Sequence, residues 1–365
     1  MLIPVRPSSC ATGLIASKEL QATLVIWLCA HDRIVADLTD NNVHALHADP
    51  IVGDWLVRFV HRTQDGTSIK SSCEILANLS VENKDLVIGW LRDSGNVTSQ
   101  FDAAPPVWPV NAPLESPAWN SLRTLLIAFY EIGLGEGLPF NPAGQPTRTE
   151  GLKRDRFVAA FKSESAEWVC VLCQGPADGL QVDHWIAKAY FPNLSVAPDN
   201  LLPICSDCNS SAYKGHKLVL SPGQAQPFLE WFHPYHRPAH DKLRPNYRDG
   251  KVRVEPLSAE YAPHVRNLDG LLKLSARWSN YHRMYYGDYQ RELADKIRRG
   301  RVAGTLDGLR EELREYLTQI NIGTRKYHPF LQKLVVESAL EPERLEAWLV
   351  ELTGGEAAER TRPSA

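Results

Sequence analysis

Two close cysteine pairs, Cys170-Val-Leu-Cys173 and Cys205-Ser-Asp-Cys208, carry the clearest chemical signal in this chain. A C-x2-C turn aims two thiolates at one ion, and two such turns complete the four-sulfur tetrahedron that suits structural zinc. The 31 residues between the pairs hold a second set of useful side chains. Asp183-His184 lies in the intervening segment, Asn200 opens the run into the second pair, and Asn209 follows Cys208 directly, with Lys214 a few residues on. An imidazole whose ordinary pKa is about 6.5 accepts a proton at neutral pH. Carboxylate and amide oxygens suit a hard divalent cation such as Mg²⁺ or Mn²⁺. A base and a cation together are what hydrolysis of a phosphodiester requires. Cys10, Cys29 and Cys73 are scattered and are expected to be ordinary buried thiols.

In their order, these residues resemble the HNH endonucleases, in the subgroup whose ββα-metal motif is stapled by four cysteines. The resemblance runs from Cys170 to Lys217, with Phe232-His-Pro-Tyr235 like a frequent follow-on, and does not extend into residues 1–150. It implies zinc on Cys170, Cys173, Cys205 and Cys208, and His184 as the general base. It further implies Asp183 and Asn209 as oxygen ligands of one Mg²⁺ or Mn²⁺, Asn200 as the brace that orients His184, and Lys214 as a nucleic-acid contact. Asn209 stands where His is commoner, making the set His-Asn-Asn. Regular strand alternation would send Asp183 and His184 to opposite faces, so a shared site needs a bend at the strand end.

The implied activity is hydrolysis of DNA phosphodiester bonds. HNH proteins with large unrelated flanks are often bacterial restriction or antiviral defence effectors, so a partner such as an ATPase or sensor subunit is expected beside DNA. No G-x-x-x-x-G-K-[ST] phosphate loop is present to supply that role in the chain itself. Two alternatives stand: a zinc-knuckle module that binds nucleic acid or protein without cutting, and an HNH ribonuclease toxin using the same centre.

The elements that must position these residues read as mainly α with a small α+β insertion, a zinc-stapled ββα core between helical regions. Residues 1–150 form a helical region suited to a partner or target, 151–222 the nuclease core, 223–352 a second helical region, and 353–365 a disordered tail. Apolar clusters lie at Leu20–Cys29, Ile51–Val60 and Leu86–Leu91. Leu122, Leu125, Leu126, Phe129 and Ile132 share one helical face. Gly135–Thr149 reads as a linker, followed by a short helix over Leu152–Phe161. Strands are expected around Trp168–Val171 and Leu180–His184, and a helix around Ser206–Lys214. Further on, Leu268, Leu271, Ser275, Trp278, Tyr281 and Tyr285 trace one long stripe, Leu306 to Ile320 another, and Arg344–Leu352 a last helix. The basic and aromatic run Tyr281–Tyr286 is expected to serve packing.

The 365 residues are 44% hydrophobic and 23% charged, with net charge −3, a balance that argues against coating nucleic acid by bulk electrostatics. Charge is uneven: residues 1–150 carry 10 basic and 16 acidic side chains, whereas 241–301 carry 14 and 8. The second helical region is therefore a candidate nucleic-acid contact. No apolar run long enough for a membrane span and no secretory signal is visible, so a cytoplasmic protein is expected.

Overall fold

The computed structural model of the chain describes residues 5–164, 169–176, 179–321 and 327–354. It divides into two units, Met1–Leu172 with Ala177–Ala239, and Cys173–Pro176 with His240–Ala365. The region read from the sequence as 1–150 and all of 151–222 except Cys173–Pro176 thus fall in the first unit, and the main division comes after Ala239. Among the described residues no helix is long and apolar enough to cross a membrane.

The first unit begins with α1 (Ala11–Leu28), α2 (Asp40–His44) and α3 (Pro50–Val60). A two-residue ladder of β1 (Thr63–Gln64) and β2 (Thr67–Ser68) leads into α4 (Ile69–Ala77) and α5 (Val81–Gly95). Start signals are local: Asp49 accepts from Ile51 N–H with Pro50 at the first helical position, and Ser68 and Ser80 accept from Ser71 and Asn83 N–H. Leu14, Leu24, Val25, Leu56, Leu76 and Val87 form the core between these helices, all at 0% exposure.

The next helix, α6 (Ala118–Ala128), buries Leu122, Leu125 and Leu126, then runs into a π-helical turn over Phe129–Gly133 and the short α7 (Leu134–Glu136). A π turn inserts one residue and rotates the side chains beyond it around the helix axis. Phe129 stays buried, but Ile132 leaves the stripe and is half-buried, while Tyr130 and Glu131 come to line a cleft.

Gly135–Thr149 is packed and is no free linker. Leu138 and Phe140 are buried, and Trp55 Nε1 donates to Gly137 O at 2.9 Å. The segment lies against α1 so closely that a Cβ on Gly13 would stand 2.2 Å from Asn141 O, which makes Gly the residue the crossing allows. The short helix expected over Leu152–Phe161 is α8 (Arg154–Glu164), with Phe157 and Phe161 buried.

The small sheet differs from the one expected. β3 (Gln181–His184) pairs antiparallel with β4 (Leu201–Ile204), with Asp183 opposite Leu202 and His184 opposite Leu201. Trp168 lies outside the described residues, and 169–171 form no strand element. The helix expected over Ser206–Lys214 is only α9 (Ser206–Asn209). Ser210 turns extended, Lys214 N–H bonds back to Cys208 O at 3.2 Å, and Gly215 takes φ +43°, a reversal that carries Lys214 inward.

The second unit is built on a hairpin, β5 (Leu243–Arg248) and β6 (Lys251–Pro256), closed by Asp249-Gly250 with both φ positive. That is the two-residue turn whose twist matches paired strands. The free N–H groups of Val252 and Val254 donate to Ser279 and Ser275 hydroxyls, so a helix covers this edge. The stripe expected as one long helix is two, α10 (Ala262–Leu272) and α11 (Leu274–Arg298). Left-handed Lys273 breaks it, and Asp269 caps α11 by accepting from Ser275 N–H and Oγ, both at 2.7 Å. α12 (Leu306–Asn321), α13 (Pro329–Ala339) and α14 (Pro342–Thr353) complete the unit around Tyr289, Leu313, Tyr316, Val335 and Trp348. The Tyr281–Tyr286 run serves packing: His282 stacks on Tyr247, Tyr281 lies tilted against His328, and Tyr286 meets Trp348 edge-on. Of the expected tail, 355–365 lie outside the described residues.

Candidate active site

The ligand atoms of Cys170, Cys173, Cys205 and Cys208 all lie within 4.8 Å of one another. Four sulfurs around zinc at about 2.3 Å stand about 3.8 Å apart, so a small contraction closes the tetrahedron. Backbone donors already point at two of them: Cys205 N–H to Cys170 Sγ at 3.4 Å, and Gly175 N–H to Cys173 Sγ at 3.3 Å. Such bonds favour thiolate over thiol, which is the form a metal needs. The cluster fits zinc. Cys10, Cys29 and Cys73 are buried elsewhere, and burial pushes the Cys29 and Cys73 thiols up to about 12.

Beyond the cysteines, Asp183, His184 and Asn209 line one cleft of about 750 Å³. Asp183 and His184 are sequence neighbours on β3, yet both reach it, as the strand ends there. His184 is buried, and its Nε2 lies 2.8 Å from Ser195 O. A carbonyl can only accept, so Nε2 carries the proton and Nδ1 is left with the lone pair. Burial above all, then the charges of Lys188, Lys214 and Arg154, hold this imidazole well below its usual pKa against the opposing bond from Ser195. The ring is neutral at pH 7.

The carbonyl that orients His184 is itself anchored by the N-terminal helices. Ser195 Oγ donates to Leu126 O on α6 at 2.8 Å and accepts from Gln21 Nε2 on α1 at 3.0 Å. Asn200, at 0% exposure, clamps the buried loop between β3 and β4. Its Oδ1 accepts from Ile186 N–H at 2.6 Å, and its Nδ2 donates to Ile186 O and Leu194 O at 3.0 and 3.2 Å. The Phe232–Tyr235 segment packs on the same sheet, Tyr235 Oη donating to Leu201 O at 2.7 Å. His233 is buried, while His216 is exposed on the cleft rim.

Asp183 Oδ2 lies 2.6 Å from Lys214 Nζ, a close buried ion pair. Lys214, read from the sequence as a nucleic-acid contact, is fully buried and neutralises this carboxylate. Burial and nearby Lys188 pull its pKa down, and Asp183 opposes them. A cleft-lining carboxylate that already attracts a cation is the kind of oxygen donor that fits a divalent ion. Asn209 lines the same cleft, where its Nδ2 donates to Gln181 Oε1 at 2.7 Å.

No protein-family model, curated protein or solved structure matches the chain.

Sequence reasoning missed four further residues that line the same cleft, Tyr130, Glu131, Arg154 and Lys188. Tyr130 Oη donates to Val182 O at 2.7 Å, and its ring meets His184 edge-on with centroids 4.4 Å apart. Lys188 stands four residues after His184, the sole local signal for any of these; the other three come from distant segments.

Proposed function

We propose that this chain is a metal-dependent endonuclease of the HNH type that hydrolyses DNA phosphodiester bonds. The observation that carries this is His184: a neutral imidazole, Nε2–H committed to Ser195 O, on a cleft shared with the Asp183 carboxylate. A purely structural zinc module has no use for that combination.

In the mechanism this supports, His184 Nδ1 takes the proton of the attacking water, a step the ring's neutrality permits. Ser195 O and the Asn200 clamp hold the ring and its loop in place, so little reorganisation accompanies the transfer. Asp183 and Asn209 would hold the divalent cation, Asp183 sharing or releasing its ion pair with Lys214 as it does so. That cation, when bound, supplies charge for the phosphate and the leaving 3′ oxygen. The four cysteines with zinc keep β4 and α9, and hence Asn209, in register with β3.

The test is incubation of the zinc-loaded chain with plasmid DNA and with single-stranded RNA in Mg²⁺, in Mn²⁺ and without either. Metal-dependent cutting of DNA is expected. Cutting of RNA alone would replace the substrate, and no cutting of either by folded protein would contradict the proposal.

A further inference from the structure

The cleft contains a cluster that the base and the cation ligands do not use. Glu131, on the π turn, is half-buried and divides its two oxygens between two cations. Oε1 accepts from Lys188 Nζ at 2.7 Å, and Oε2 accepts from Arg154 Nη2. The guanidinium is fixed further by the Tyr130 and Glu131 carbonyls, at 3.1 and 3.3 Å. Both cations lie against the Tyr130 ring, 4.3 Å for Arg154 and 4.2 Å for Lys188, and the same ring touches His184. The cluster is therefore one aromatic ring away from the base.

A guanidinium and an ammonium holding two oxygens of one anion form the donor set that also fits the non-bridging oxygens of a phosphodiester. Burial alone would raise the Glu131 carboxyl, but the Lys188 and Arg154 bonds and charges win and hold it below the usual carboxylate range, so it is an anion at neutral pH. Among the cleft's lining residues Arg154, Lys162 and Lys188 stand with Glu131 and Asp155, Asp183 being paired already with buried Lys214. With Glu131 in place, two of the three cations are engaged and have little pull on a polyanion. They become available only when Glu131 gives them up, and Glu131 is partly exposed, with a 32% accessible side chain that can swing out by rotamer change.

We propose that Arg154 and Lys188 form a subsite for a backbone phosphate of nucleic acid, one aromatic ring away from His184, and that Glu131 fills this subsite as a stand-in anion until nucleic acid displaces it. This rests on the proposed endonuclease activity only in taking a nucleic-acid backbone as the ligand.

The test is binding of a fluorescent DNA duplex to zinc-loaded protein without added Mg²⁺ or Mn²⁺, read by anisotropy over a salt series. Glu131→Gln removes the competing charge and is expected to tighten binding about 5- to 10-fold, because a larger fraction of the protein is competent. Arg154→Ala and Lys188→Ala are expected to weaken binding and each to lower the salt slope by about one, in the parent and in the Glu131→Gln background. Unchanged or weaker binding by a Glu131→Gln protein that melts like the parent overturns the proposal. If Glu131→Gln does not fold, Glu131→Asp serves instead: one methylene shorter, it cannot reach both cations, and unchanged affinity there overturns the proposal equally. Cleavage measured in parallel separates the two ideas. Tighter binding by Glu131→Gln with no cutting by the parent in Mg²⁺ or Mn²⁺ leaves the subsite standing and removes the endonuclease. Cutting by the parent with unaltered Glu131→Gln affinity does the reverse.

Discussion

Asn200→Ala takes away one amide and strands two backbone groups in a site with no solvent exposure, Ile186 N–H and Ile186 C=O, while Leu194 C=O keeps the bond from Ala197 N–H at 3.2 Å. A buried polar group left without its partner costs about 1 to 3 kcal/mol, so the two together are worth on the order of 2 to 4 kcal/mol once partial relaxation is allowed. For a unit of this size each kcal/mol moves the melting temperature by about 2 to 4 °C, giving a drop of roughly 4 to 16 °C. Thermal melting followed by tryptophan fluorescence is a suitable assay, since Trp185 is buried and its backbone N–H donates to Asn200 O at 2.8 Å. Hydrogen exchange localises the effect, with the Ile186 amide losing protection before amides of α1 or α4. Asn200→Asp sharpens the test. It keeps the acceptor for Ile186 N–H but sets a negative charge against two carbonyls, so at neutral pH it should cost at least as much as alanine. A melting change under about 2 °C for Asn200→Ala, with Ile186 still protected, would refute the reasoning.

Cys205→Ser should release zinc and unfold the β4–α9 region, metal-coupled folding being worth on the order of 10 kcal/mol, whereas Cys10, Cys29 and Cys73 should each tolerate alanine with zinc retained; elemental analysis checks both. His233 gives a pH prediction. It is fully buried, accepts at Nδ1 from Tyr235 and His236 N–H, and is held well below pKa 6.5 by burial first, then by His236 and Arg237, against Asp199. The unfolded chain therefore takes up a proton below pH 6.5 that the folded one refuses, and stability falls as pH drops from there, by up to about 1.4 kcal/mol per pH unit. In urea unfolding between pH 7 and 5, His233→Asn should show a shallower slope than the parent, and equal slopes would contradict this.

Legibility in the sequence tracks the range of the forces involved. The cysteine cluster was legible because a C-x2-C turn is local and its two halves need only meet. The helices α1, α3 and α5 were legible as apolar clusters and α6 from its periodicity, both local signals. β4 was hidden by Pro203 within Leu-Leu-Pro-Ile, and its pairing to β3 is a tertiary choice. Asp249-Gly250 was a usable hairpin signal, obscured by a proline and several arginines in the flanking strands. The break at Lys273 had no composition signal of its own, although the Asp269–Ser275 cap was there to be read. Around the cleft, Asp183, His184, Asn200 and Asn209 announce themselves by their order relative to the knuckles. Tyr130, Glu131 and Arg154 do not, because a π turn and a helix start bring them in from segments that share no pattern with the motif. The inward path of Lys214 was equally invisible, since a lysine near a motif reads as a surface cation until the chain reversal at Gly215 is known.

The most direct measurement is cleavage of plasmid DNA by the parent and by His184→Ala in matched Mg²⁺ and Mn²⁺, alongside zinc content and DNA affinity for both proteins. Removing the imidazole takes away the proposed proton acceptor and leaves the four cysteines and the proposed cation ligands Asp183 and Asn209 in place. Zinc and DNA binding should therefore persist while cleavage falls about 10²- to 10⁴-fold, the usual worth of a general base. Equal cutting by parent and His184→Ala under the same metal conditions would place the active centre elsewhere.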